Sequence, residues 1–156
     1  MAKLAEAFGM RVLLGALPGR PPRADRLPLD ELLPQVDALT LHCPLTEATR
    51  NLIGQRELDL MKPGAFLINT ARGGLVDEQA LADTLRRGHL GGAACDVLSV
   101  EPPKNGNPLL APDIPRLIVT PHNAWGSREA RQRMVGQVSE NAAAFFAGKP
   151  MRVVNP

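Results

Sequence analysis

The chain has 156 residues, and its 18 basic and 16 acidic side chains leave a net charge of +2, too balanced to mark a nucleic-acid or membrane-surface binder. Hydrophobic residues make up 44% but aromatics only 3%, which points to one domain with an aliphatic core, of the kind that suits a parallel sheet buried by helices. Cys43 and Cys95 have neither C-x-x-C nor metal-ligand spacing, so a reduced, cytoplasmic setting and no metal site are expected; no apolar run reads as a signal peptide or a membrane span.

In chain order, residues 2–8 read as the end of a helix closed by Gly9, and Arg11 to Leu14 as a buried strand. Residues 15–28, rich in proline and arginine, read as a loop. Leu29 to Leu33 is a short helical stretch stopped by Pro34, and Val36 to Cys43 is a second strand ended by Pro44. Gln55 to Met61 reads as a helix closed by Pro63-Gly64, followed by a third strand, Ala65 to Asn69. Asp77 is placed to cap the next helix, which carries Glu78 early, Arg86 and Arg87 late, and Gly88 after its end. Leu90 to Val97, tightly packed because its residues are small, is the fourth strand. A polar, proline-rich loop spans Leu98 to Pro115, and Leu117 to Thr120 is the fifth strand. Ser127 opens the longest helix, with Ala130, Met134, Val138, Ala142 and Phe145 at helical spacing; Gly148 and Pro150 stop it. Strands alternating with helices predict an α/β fold with a mostly parallel sheet, whose ligands bind where the strands end.

Residues just past the strands therefore carry the functional argument. Arg72 follows the third strand, Asp96 ends the fourth with Glu101 in the loop beyond, and His122 follows the fifth. An arginine fork grips a carboxylate in two places. A histidine exchanges a proton near neutral pH, and a glutamate against it holds the ring and favours its protonated form. Together they suit reduction of a 2-oxo acid: Arg72 anchors the carboxylate and polarises the carbonyl, and His122 donates a proton as hydride arrives. Each residue taken alone is more often a surface charge or a turn residue; the case rests on their joint placement. Cys43 reads as a small buried hydrophobe rather than a nucleophile, and His42 and His89 as structural or exposed.

The wording of these segments resembles the D-2-hydroxyacid dehydrogenases. Leu41 to Thr46 (LHCPLT) with Thr49 does so, as do Met61 to Gly73 (MKPGAFLINTARG) and Val76 to Leu81 (VDEQAL). Asp96-Val97 through Glu101-Pro102, Asn107 to Leu110 (NPLL) and Thr120-Pro121-His122 complete a resemblance that spans nearly the whole chain. It implies a Rossmann-like, doubly wound fold, with Arg72 on the substrate carboxylate, His122 as acid/base and Glu101 as its partner. The family's cofactor contacts would fall on Pro44, Thr49, Thr70, Ala71, Asp96 and Ala124, with Asp96 at the nicotinamide carboxamide and Thr49 near the phosphates. Ala124-Trp125 and the helix opening Ser127 to Arg131 look most like the glycerate dehydrogenase (hydroxypyruvate reductase) branch, which implies hydroxypyruvate or glyoxylate as substrate; the Trp could equally pack against a neighbouring subunit.

Two features depart from the family. No G-x-G-x-x-G is present, and with it the family's first strand and most of its substrate domain are missing, so the chain looks like a C-terminal part. Residues 1–126 are expected to be a partial nicotinamide-dinucleotide domain, and residues 127–156 a helix and tail that in the family return to the substrate domain. Loss of a central strand should leave unpaired strand edges, answered by re-pairing, a borrowed strand or a second copy. Past the strand after Gly9, the run Gly15 to Arg20 offers no acid for the ribose hydroxyls, while Arg20 or Arg23 could meet a 2′-phosphate, so NAD and NADP both remain open. The expected function is hydride transfer between NAD(P)H and a small 2-oxo acid, with a homodimer as the assembly. The alternatives are a catalytically silent part and a self-associating structural module.

Overall fold

A computed structural model describes residues 1–21 and 23–154; Pro22 of the expected 15–28 loop and residues 155–156 of the expected C-terminal tail lie outside the described residues. The chain divides into two units, Met1–Pro121 and His122–Pro156, against an expected boundary after residue 126.

The first unit is built on a parallel sheet of four strands in the order β1-β2-β3-β4: Ala38–Leu41, Phe66–Asn69, Gly92–Cys95 and Leu117–Val119. Each lies inside a run expected to be a strand. The cover comes from α2 (Leu29–Leu32), α3 (Gln55–Leu60) and α4 (Glu78–Arg86). Alternation decides the faces. Leu39, Leu41, Leu67 and Cys95 join Leu58, Leu81 and Leu85 of the helices in one buried cluster, while Phe66, Ile68 and Ile118 on the opposite face are 53%, 36% and 64% exposed. Within the first unit the cover given by α2, α3 and α4 therefore lies on one face of this sheet. The tight packing expected of the fourth strand is real: a Cβ on Gly91 would sit 2.3 Å from the carbonyl oxygen of Gly64.

α4 is specified end to end. Asp77 Oδ1 accepts from the Ala80 N–H at 3.0 Å, Glu78 and Arg86 match the dipole, Ala80, Leu81 and Leu85 face the core, and Gly88 takes φ +72° past its end. Pro34 does not stop the segment after α2; it sits in the first turn of a 3-10 stretch, Leu33–Gln35, where its missing N–H costs nothing.

The expected strand Arg11–Leu14 is corrected. It does not join the sheet, and its end makes only an isolated bridge, Gly15 to Leu27, with hydrogen bonds from Leu27 N–H to Leu14 O (2.9 Å) and from Ala16 N–H to Leu27 O (2.7 Å). Among the described residues no strand lies beside it to complete a ladder, and β1 pairs only with β2. The preceding helix, α1 (Ala2–Ala7), buries no residue. The second unit holds α5 (Arg128–Phe146), capped by Ser127 Oγ accepting from the Ala130 N–H at 3.1 Å. It also buries no residue, and Met134, Val138 and Phe145 are exposed.

Candidate active site

The strands end in register. Leu41 pairs with Asn69, Asn69 with Cys95, and Cys95 with Val119, so the last residues of all four parallel strands form one row. Whatever follows each strand leaves the sheet at a single rim. Three of the sequence-derived groups, Pro44, Thr70–Arg72 and Asp96–Glu101, lie there within the first unit, together with Thr120.

Asn69, not singled out by the sequence, organises the turn that carries Arg72. It is 1% exposed; its Oδ1 accepts from the Ala71 N–H at 3.1 Å and its Nδ2 donates to the Arg72 carbonyl at 2.9 Å. An apolar residue at this inward-facing position would be the default; a buried amide wrapping the next three residues is the signal that could have found it. Thr70 and Arg72 are exposed, and Arg72 Nη1 donates to the Ala71 carbonyl at 2.6 Å, a contact that uses one of the fork's five donors. Gly73 is where this turn meets the next: a Cβ there would lie 1.9 Å from Leu98 C and 2.3 Å from Ser99 N. The turns after β2 and β3 are thus in backbone-to-backbone contact.

Asp96 is 5% exposed at the end of β3, with its N–H bonded to the Asn69 carbonyl at 2.9 Å and its Oδ1 accepting from Thr120 Oγ1 at 2.5 Å. It therefore ties the ends of β2, β3 and β4 together. Glu101 is exposed and its Oε1 accepts from the Leu98 N–H at 2.8 Å. Thr49 is buried, and its hydroxyl donates to the Pro44 carbonyl at 2.8 Å and accepts from the Thr46 N–H at 2.8 Å, closing the turn that presents the exposed Pro44.

His122 opens the second unit. Its φ of +51° is left-handed, uncommon for a non-glycine residue, though Asn51, Arg116 and Arg152 share it. The turn after it is held by Trp125 Nε1 donating to the His122 carbonyl at 3.0 Å and Gly126 N–H to Asn123 O at 2.8 Å; Ala124 is exposed between them.

The setting of both thiols disfavours the thiolate. Burial pushes the Cys95 thiol up to about 12 and raises that of Cys43 as well. His42, the first residue after β1, has its Nε2 3.0 Å from Thr40 Oγ1, and His89 Nε2 lies 3.0 Å from the Met61 carbonyl. Among the described residues no group of three or more His, Cys, Asp or Glu is arranged to hold a metal, and no helix is long and apolar enough to cross a membrane.

Residues 1–124 match the family profile described as D-isomer specific 2-hydroxyacid dehydrogenase, NAD binding domain. Glycerate dehydrogenase of Methylorubrum extorquens is 52% identical over 154 residues, covering 99% of this chain and 48% of the relative. Hydroxypyruvate reductase of Blautia hydrogenotrophica is 38% identical over 157 residues, covering 98% of this chain and 48% of the relative. In structure, the TT0316 protein of Thermus thermophilus superposes with a TM-score of 0.83 at 44% identity, over 97% of this chain and 48% of that one. The chain thus spans about half the length of the relatives it matches.

Proposed function

The chain belongs to the D-isomer specific 2-hydroxyacid dehydrogenase family, as its NAD-binding domain, and from that premise we propose that it serves reduction of a small 2-oxo acid, hydroxypyruvate or glyoxylate, at the rim where its strands end. The observation that carries the reading is the registered row Leu41, Asn69, Cys95 and Val119, which delivers the Arg72 turn and the Asp96–Glu101 segment to one edge.

NAD(P)H supplies the hydride when bound. The residues suited to its nicotinamide half are Pro44, Thr70, Ala71, Asp96 and Ala124. A fixed, nearly buried Asp96 carboxylate is chemically fit to accept a carboxamide N–H. For the phosphates the fit is poorer, since the chain has no glycine-rich loop to offer a row of amides and the Thr49 hydroxyl is spent on its own turn. Arg72 holds the substrate carboxylate as a two-pronged donor, turning the 2-oxo group toward the hydride and polarising it. His122 gives the carbonyl oxygen its proton in the transition state, and Glu101 is the carboxylate assigned to steady its imidazolium. The working assembly is a homodimer, supported by the exposed apolar faces of α5 and of the sheet, and the setting is cytoplasmic.

Replacing His122 by Ala in the protein as its host makes it should lower kcat roughly 10²- to 10⁴-fold while leaving NADH affinity within about twofold, because the proton is needed only in the transition state. A fluorescence titration with NADH reports its binding independently of turnover. Unchanged kcat would refute the assignment of His122.

A further inference from the structure

We infer that Glu78 is a positioning residue for Glu101, acting through the segment that carries it; this rests on the proposed acid/base pairing of Glu101 with His122. Glu78 is the first residue of α4 and is 9% exposed. A carboxylate so removed from water requires donors. Those it has come from outside its own helix: Oε1 accepts from the Ser99 N–H at 2.6 Å, and Oε2 accepts from the Ser99 hydroxyl at 2.5 Å and from Asn107 Nδ2 at 2.6 Å.

These partners bracket Glu101. Ser99 lies two residues before it and Asn107 six residues after, in the long loop between β3 and β4. Asn107 is held from both sides, since its Oδ1 accepts from the Leu109 N–H at 2.9 Å. The start of the loop is gripped a second time where Leu98 and Ser99 press on Gly73, with no room for even a Cβ between them. Between the two anchors Glu101 turns back to accept from the Leu98 N–H at 2.8 Å. The carboxylate of Glu101 is thus referred to the backbone at 98–99, and that backbone is referred to Glu78.

Helix capping does not account for Glu78. The capping oxygen of α4 belongs to Asp77, and a short acidic side chain in the first turn satisfies the dipole without being buried. Burying it on a loop from another part of the chain fixes that loop. In a loop rich in proline and polar residues, with no secondary structure apart from the Pro108–Leu110 turn, this contact and the one at Gly73 fix the backbone from which Glu101 projects.

The test is a mutant cycle in the protein as its host makes it, with hydroxypyruvate and NADH. In Glu78→Gln the amide nitrogen faces the Asn107 amide nitrogen, donor against donor, so the anchor at Asn107 is lost. Kcat should fall about tenfold or more, since displacement of a catalytic group by an ångström costs up to about a hundredfold, while KM for NADH stays within about twofold. In an E101Q background the same E78Q change should cost little further, because the group it positions is already gone. The exchange E78Q/N107D puts the amide at 78 and the carboxylate at 107, restores donor to acceptor, and should recover most of kcat. If E78Q costs the same factor with and without E101Q, or if the exchange restores the melting temperature but not kcat, Glu78 is only structural and the inference is wrong. If E101Q itself leaves kcat unchanged, the role given to Glu101 falls, and this inference with it.

Discussion

Gly73→Ala should be among the most damaging single-methyl additions this chain can receive. The new Cβ would lie 1.9 Å from Leu98 C, 2.1 Å from Leu98 O and 2.3 Å from Ser99 N. Ordinary carbon contacts are about 3.5–4.0 Å, so the two turns must separate by nearly 2 Å. The obstacle is backbone, which cannot rotate away as a side chain would. No left-handed φ is involved at Gly73, so the effect is steric rather than a Ramachandran penalty. Overpacking of a core typically costs about 1–3 kcal/mol, and a backbone clash belongs at the top of that range. For a chain of this size about 3 kcal/mol corresponds to a fall of roughly 6–12 °C in melting temperature. The paired control is Gly136→Ala in α5, where nothing lies within 4 Å of the added Cβ and where alanine should stabilise the helix by about 0.5–1 kcal/mol. Calorimetry of both variants decides. A Gly73→Ala protein melting within a degree or two of the parent would show that the Arg72 and Glu101 turns do not press on each other, and would remove the physical link between them.

Three further outcomes are expected. Ala16→Asp should shift preference toward NADH over NADPH in the protein as its host makes it, since a carboxylate accepts ribose hydroxyl bonds and repels a 2′-phosphate; an unmoved ratio of kcat/KM would place residue 16 away from the ribose. At pH 8 Cys95, with its thiol pushed to about 12, should be on the order of 10⁻⁴ ionised and should label with a thiol reagent far more slowly than Cys43; because its folded value lies above the unfolded one, the associated stability is present below pH 9 and is lost as the pH rises from there toward 12. The 156 residues alone should show no appreciable turnover, for want of the amides that hold a pyrophosphate, and should self-associate through exposed faces that include Met134, Val138 and Phe145; light scattering that finds a dilute monomer active on hydroxypyruvate would refute both points.

The features legible in the sequence were those written in local chemistry. Asp77 and Gly88 announce the two ends of α4, and the short apolar runs that hold Leu39, Leu41 and Leu67, bounded by Pro44 or Pro63-Gly64, announce their strands. Arg11–Leu14 has an equally strandlike composition and still stays outside the sheet, because a strand is made by its neighbour as much as by its own residues, and no period of two encodes the partner. Asn69, Glu78 and Gly73 escaped for a related reason. Asn69 reads as the polar end of a strand, Glu78 as a dipole charge and Gly73 as one glycine of a loop. Each acts through a contact made across a turn or across more than twenty residues, with Ala71 and Arg72, with Ser99, or with Leu98.

Trp125 shows how one residue can carry a family signature and a local duty together. The pair Ala124-Trp125 was the sequence's pointer to a glycerate dehydrogenase branch, and a tryptophan half open to solvent invites a reading as a substrate or subunit contact. Its indole N–H, however, donates to the carbonyl of His122, three residues back. That carbonyl belongs to a residue held at φ +51°, a conformation that costs a non-glycine residue energy and needs a local brace to persist. A smaller aromatic without an N–H would fill the surface equally well and leave the brace missing. A role for tryptophan at this position is therefore accounted for by the local geometry of His122. That hydrogen bond uses the indole edge, and the residue as a whole is 51% exposed.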